Sequence, residues 1–291
     1  MIQRCSDAAL GRGDQLAGTA TMVRGFLLVE HAGPWGEAAL RDARLPDTTR
    51  AWLRRKVAET RVRVLLVRRP QARAGGPVRV FAVRTGAWCE TAVLDRIEDV
   101  ESVDVGAVAD GRSPGLEVWP ESLVLVCTHG RHDACCAERG RPLAAALASA
   151  APDLVWECSH LGGDRFAGNV LVLPDGLGFG WVPPARAPAL LDGLSRGLLD
   201  LDLMRGRATL PMASQYAEIQ LRRELDERRT DAVRHVGSRR DEEDVVATFE
   251  VAGATYDVRV RSTSGAPAAL TCRAIRDNPV PRHDVIATTR R

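Results

Sequence analysis

Residues 24–30, Arg-Gly-Phe-Leu-Leu-Val-Glu, are the first run of consecutive apolar side chains, the pattern of a strand buried on both faces. A turn signal, His31-Ala32-Gly33-Pro34-Trp35-Gly36, ends it. Over 48–60, Ala51, Leu53, Val57 and Ala58 recur among charges at the spacing of an amphipathic helix. Apolar runs at 62–67, 79–84 and 88–94 predict three further strands. A similar order recurs after residue 115: a strand at 121–126, an Ala-rich helix over 136–150 and a strand at 154–157. A hairpin of 169–173 and 178–182 around Pro174-Asp175-Gly176 follows, then a helix over 187–196. Residues 1–22 show no clear period and read as an irregular arm or a short helix.

Strand, helix, strand, then hairpin and helix is the thioredoxin-like order, a βαβ unit followed by ββα. The chain therefore reads as α/β, two tandem thioredoxin-like units plus a small C-terminal β appendage. Residues 1–114 form the first unit and 115–237 the second. The spacing of Ala217, Ile219, Leu221, Leu225 and Val233 predicts one long solvated helix over 216–235 that closes the second unit. The charged run 238–244 reads as a linker, 245–251 and 255–260 as a hairpin, and 269–273 as a third strand, so 238–291 is linker and appendage. No period of 20 to 50 residues signals a solenoid.

With 291 residues, two domains are favoured over one. An apolar content of 45% with 27% charged residues is that of an ordinary globular chain. The longest apolar stretches, near 123–127 and 143–151, are too short to span a membrane. Forty basic residues face 38 acidic ones, and nearly all the basic ones are Arg. The signs are interleaved, as in Arg222-Arg223-Glu224-Leu225-Asp226-Glu227, which argues against a nucleic-acid track. The first residues lack the pattern of a signal peptide, so a cytoplasmic protein is expected, in which clustered Cys point to metal or redox chemistry.

That cluster is dense: four of seven Cys and three of six His lie within residues 127–160. Cys127-Thr128-His129-Gly130-Arg131-His132-Asp133-Ala134-Cys135-Cys136 follows one predicted strand, and Cys158-Ser159-His160-Leu161-Gly162-Gly163-Asp164 follows another. Strand ends are where an α/β sheet presents loops to a ligand. Two C-x-H units, Cys127/His129 and Cys158/His160, fit a Cys₂His₂ zinc site. Cys127, Cys136 and His160 with Asp164 fit a [2Fe–2S] cluster instead. Spacing leaves both open. Cys5, Cys89 and Cys272 stand apart from any such cluster and read as buried apolar fillers. No phosphate-loop, dinucleotide, nucleophile-elbow or zincin motif is present, and nothing marks a carboxylate pair for glycoside cleavage.

Residues 127–136, the stretch His160-Leu161-Gly162-Gly163-Asp164-Arg165-Phe166-Ala167-Gly168-Asn169, and Val170-Leu171-Val172-Leu173-Pro174-Asp175-Gly176 resemble the sucrase/ferredoxin-like family of thioredoxin-fold proteins. Residues 13–20 and 28–36 share the likeness, which covers roughly residues 1–235. The resemblance implies a [2Fe–2S] cluster held by two Cys and by two His in H-x-x-x-H spacing. The Cys pair then falls on Cys127 and Cys136 and the first His on His160, while Asp164 stands where the second His is expected. Cys158 is the other candidate for that fourth place. Gly162 and Gly163 are expected to let backbone amides approach the cluster, and Arg131 and Arg165 to offset its charge or dock a redox partner protein.

The expected function is one-electron transfer by a [2Fe–2S] protein, a carrier rather than a catalyst. A clusterless thiol sensor built on Cys135 and Cys136, with Cys127 and His132 nearby, and a structural zinc module are the competing readings.

Overall fold

The computed structural model describes residues 4–70 and 75–291. Residues 1–3, the start of the expected N-terminal arm, and 71–74 lie outside the described residues. By contact the chain divides into two compact units, residues 23–161 with 170–176, and 1–22 with 162–169 and 177–291. The first helix, α1 (Cys5–Arg12), belongs to the second of these.

The first unit is a sheet with two copies of one βαβ plan. β1 (Gly25–Glu30) leads through a short turn of helix, α2 (Ala39–Asp42), and the longer α3 (Asp47–Thr60) to β2 (Arg63–Arg68). β2 is parallel to β1, and β3 (Val78–Arg84) returns antiparallel on the other side of β1. β4 (Trp88–Leu94), the short α4 (Val105–Asp110) and β5 (Glu117–Val118) complete that half. β6 (Leu123–Cys127), α5 (Ala134–Ala150), β7 (Val155–Cys158) and β8 (Val170–Leu173) repeat the pattern, β7 parallel and β8 antiparallel to β6. The strand order is β8-β6-β7-β2-β1-β3-β4-β5.

The two halves meet where β2 pairs antiparallel with β7, Val67 opposite Cys158 and Arg68 opposite Glu157. The two copies of the plan are joined by this one shared sheet, an arrangement that is only loosely that of two tandem units. Central strands read as continuous apolar runs because both faces are covered. Leu27, Val29, Leu66, Val80 and Ala82 pack on one face against Trp52 and Leu53 of α3 and Val105 and Val108 of α4. α3 stops where Arg61 takes a left-handed backbone, φ 58°.

In the second unit, β9 (Leu177–Phe179) pairs antiparallel with β10 (Met204–Arg207), α6 (Ala187–Ser195) lies between them in sequence, and α7 (Met212–Glu224) follows. β11 (Val233–Asp241), β12 (Asp244–Val251), β13 (Ala254–Ala268) and β14 (Asn278–Arg290) form an antiparallel meander. Ala217 and Leu221 of α7 cover Phe249, Val258 and Val260 of that sheet.

Three expectations change here. The helix expected over 216–235 is α7, which ends at Glu224 because Asp226 takes φ 49°, and Val233 opens a strand instead. The charged run 238–244 is no linker: it is the end of β11 and the hairpin turn, its charges paired across strands, as Arg261 Nε to Asp244 Oδ1 at 2.8 Å and Arg259 to Asp241. Residues 269–273 are a loop, and the strand that follows the β12–β13 hairpin is β14, the fourth of the sheet. Among the described residues no helix is long and apolar enough to cross a membrane.

Candidate metal centre

Cys127 closes β6, Cys136 lies in the first turn of α5, and His160 follows β7 by two residues. Since β6 and β7 are parallel, their C-terminal ends open on the same edge, and α5 starts there. The Sγ atoms of Cys127 and Cys136 and a ring nitrogen of His160 all lie within 4.8 Å of one another. Both thiols are buried and His160 is half-buried.

The turn that presents them is tightly bonded. Asp133 caps α5, its carboxylate accepting from the Cys135 N–H at 2.9 Å. The Thr128 hydroxyl donates to Glu157 at 3.0 Å, and Glu157 pairs with Arg68 of β2. Ser159 exchanges two bonds with Leu66 of β2, Ser159 N–H to the carbonyl at 2.8 Å and Leu66 N–H to the hydroxyl at 3.0 Å. The residue before His160 is thereby fixed to the neighbouring half of the sheet.

Helix α5 reaches Cys127 only because residue 140 is glycine. A Cβ there would lie 2.0 Å from the Cys127 carbonyl oxygen. Gly140 is one helical turn beyond Cys136, so this contact sets how closely the Cys136 thiol approaches Cys127.

The electrostatics favour one thiolate. Cys127 is held well below the ordinary thiol range, first by a hydrogen bond with Cys136, then, against the cost of burial, by the His160 ring and the His129 backbone. Cys158, beside Cys127 in the parallel register, is pushed well above that range by burial and by the Cys127 thiolate, with Arg63 acting the other way. Arg63 of β2 donates to the His160 carbonyl at 2.6 Å, and burial lowers its own pKa while Cys158 and Cys127 oppose that shift. It is a cation beside a site that accumulates thiolate charge.

Three imidazoles line up beside the thiols. The His132 and His160 ring centroids are 3.8 Å apart and those of His129 and His132 5.5 Å. His129 Nε2 bonds the Gly36 carbonyl at 2.8 Å and its ring sits edge-on to Trp35. Burial lowers the His129 pKa. With its ring turned to Gly36, His129 does not join the thiols, so the Cys127/His129/Cys158/His160 zinc set does not assemble.

The remaining candidates are placed as follows. Cys136, and not the adjacent Cys135, enters the three-residue group, since neighbouring helix positions point about 100° apart. The Cys158 sulfur lies outside that group. Asp164 is buried at the head of a 3₁₀ turn, Asp164–Phe166, four residues after His160. Gly162 and Gly163 have φ of 93° and 77°, and the group that approaches them is a guanidinium. Arg205 donates to the Gly162 carbonyl at 2.9 Å, to Asn169 Oδ1 at 2.8 Å and to Thr19, while Asn169 donates to the Gly163 carbonyl at 2.9 Å. A Cβ on Gly163 would lie 2.3 Å from Arg205. Arg131 is exposed. Arg165 is not exposed: it pairs with Asp14 at 3.2 Å and lies over the Phe166 ring. Sequence reasoning missed Gly140, Arg63 and Arg205, whose partners are distant in the chain or of no distinctive type.

The family model for sucrase/ferredoxin-like proteins matches residues 16–206, more than half of the chain. The chain belongs to the sucrase/ferredoxin-like family. The matched segment contains every residue of the Cys127 group. Among solved structures, this family member is similar to a thioredoxin-like [2Fe–2S] ferredoxin from Aquifex aeolicus, with 20% identity and a TM-score of 0.28 over 31% of this chain and 94% of that one. It is also similar to a cysteine-to-serine variant of that ferredoxin, with 20% identity and a TM-score of 0.26 over 29% of this chain and 97% of that one. No curated protein matches the chain.

Proposed function

We propose that this protein is a [2Fe–2S] electron carrier, with Cys127 and Cys136 as ligands to one iron and His160, with Asp164 or Cys158, to the other. The observation that carries the reading is the convergence of two thiols and an imidazole within 4.8 Å at the mouth of β6, α5 and β7. Soft thiolates with a borderline nitrogen donor suit an iron–sulfur centre. A [2Fe–2S] cluster supplies reversible one-electron exchange.

The protein's own residues would hold and tune it. Cys127 is already favoured as thiolate, the form a metal binds. Burial of both cysteines keeps water from the sulfurs, and the Arg63 guanidinium offsets the negative charge of the ligands. Asp164, a harder donor than the histidine of the family pattern, would bind iron less firmly. The partner would be a redox protein.

Anaerobic purification with iron and acid-labile sulfide analysis tests this. About two irons and two sulfides per chain, the content of one such centre, is the expected result. Colourless, metal-free protein after anaerobic reconstitution overturns it. The competing reading, a clusterless thiol sensor built on Cys135 and Cys136 with Cys127 nearby, then requires a reversible disulfide or sulfenate among these thiols after mild oxidation, and the Cys127–Cys136 hydrogen bond makes that pair the first to inspect.

A further inference from the structure

Two cysteines that read as separate fillers meet in the second unit. Cys5 is the first residue of α1, and Cys272 lies in the loop between β13 and β14, 267 residues later. Their sulfur atoms are 3.5 Å apart. The Cys5 backbone N–H also points at Cys272 Sγ, with N to S at 3.5 Å. That N–H belongs to the first turn of a helix of eight residues, whose positive end favours negative charge on a sulfur placed there. Cys5 is buried, whereas Cys272 is half-exposed and open to a small reagent. Cys89, by contrast, fits the filler role: it is buried in β4, and burial with nearby Glu90 pushes its thiol to about 12.

We propose that Cys5 and Cys272 are a redox-active dithiol that closes to an intramolecular disulfide on reaction with a hydroperoxide. The Cys272 thiolate attacks one peroxide oxygen. The S–O bond forms as O–O breaks, the departing oxygen leaves as water after taking a proton, and the sulfur becomes a sulfenic acid. The Cys5 thiolate then attacks that sulfur. The S–S bond forms as S–O breaks, and hydroxide leaves as a second water with the proton Cys5 gave up. Two thiols and one hydrogen peroxide yield one disulfide and two waters, the peroxide taking up two electrons. Closing 3.5 Å to a bond of about 2.0 Å needs only rotation about the two side chains and a small shift of the loop. The bond would tie the first helix to the last sheet. Neither cysteine belongs to the Cys127 group, so the inference stands apart from the iron–sulfur reading.

The full-length protein is treated with one equivalent of hydrogen peroxide, quenched in acid, alkylated and digested without reduction for mass spectrometry. The expected product is a Cys5–Cys272 peptide pair, lighter by two hydrogens than the sum of its parts and lost on treatment with dithiothreitol. In Cys272→Ser the pair is absent and Cys5 is recovered alkylated, with an unchanged circular dichroism spectrum. Recovery of both cysteines alkylated in the wild type while other thiols oxidise, or linkage of either to a different cysteine, overturns the proposal. The wild-type map decides the matter even where the variant does not fold.

Discussion

Gly140 of α5 lies directly against the carbonyl of Cys127 in β6, with room for a hydrogen and none for a carbon. The obstacle a methyl would meet is backbone, at a strand end paired with β7, and so cannot swing away as a side chain would. Gly140→Ala is expected to push α5 outward and destabilise the fold by about 1–3 kcal/mol, the usual cost of overpacking. Urea unfolding measures the loss. Iron content should fall further than stability, because the same shift draws Cys136 from Cys127; equal iron in variant and wild type would separate helix position from the metal site.

Cys135 and Cys136 provide a paired test. Cys136→Ser is expected to abolish the visible iron–sulfur spectrum, whereas Cys135→Ala retains it, because only Cys136 faces Cys127 and His160. The reverse outcome would reassign the ligand. Asp164→His, which creates the H-x-x-x-H spacing, should slow iron loss to a chelator, with a softer donor in place of a carboxylate.

Arg205 gathers Thr19, the Gly162 carbonyl and Asn169 around one buried guanidinium. Arg205→Met keeps length and removes every donor, leaving buried acceptors without it. A loss of about 3 kcal/mol is expected from breaking such a network. Hydrogen exchange should quicken at residues 162–169 before it does elsewhere.

Acid should weaken the C-terminal sheet through His283. Its ring is buried beside Tyr216, hydrogen-bonded to Ser262, with Gln15 holding the His283 backbone, and burial lowers its pKa below the ordinary 6.5 against the pull of Gly18 and Asp284. The unfolded chain therefore takes up a proton first as pH drops below about 6.5, and the folded state loses stability there. Above that value both states are neutral and the effect vanishes. Urea midpoints at pH 7.5 and 5.5 should differ less in His283→Gln than in the wild type.

Much of the sheet was legible because its central strands are apolar runs, as in Leu123–Cys127 and Val170–Leu173, and Trp88–Leu94, with Glu90 and Thr91 inside it, is still found with the boundaries its sequence implies. The Cys127, Cys136 and His160 group was legible because thiols and imidazoles are scarce and follow strand ends. Periodicity failed past Glu224, where Leu225 and Val233 continue a helical spacing that the backbone abandons at Asp226. It failed again in β11, a strand with charges on both faces that pairs along β12 without the alternation of an apolar face. Gly140, Arg63, Arg205 and the Cys5–Cys272 contact depend on partners that only the folded chain brings together.

The antiparallel seam between β2 and β7 bears on how small a working version of this protein can be made. β7 sits between β6, which carries Cys127, and β2, which carries Arg63 and receives Ser159. A fragment beginning near residue 115 would keep the cysteines yet leave the outer side of β7 as a bare row of amides and carbonyls, inviting a second copy to dock there. The N-terminal copy of the βαβ plan, though it supplies none of the three converging donors, covers the edge along which a second strand would otherwise pair.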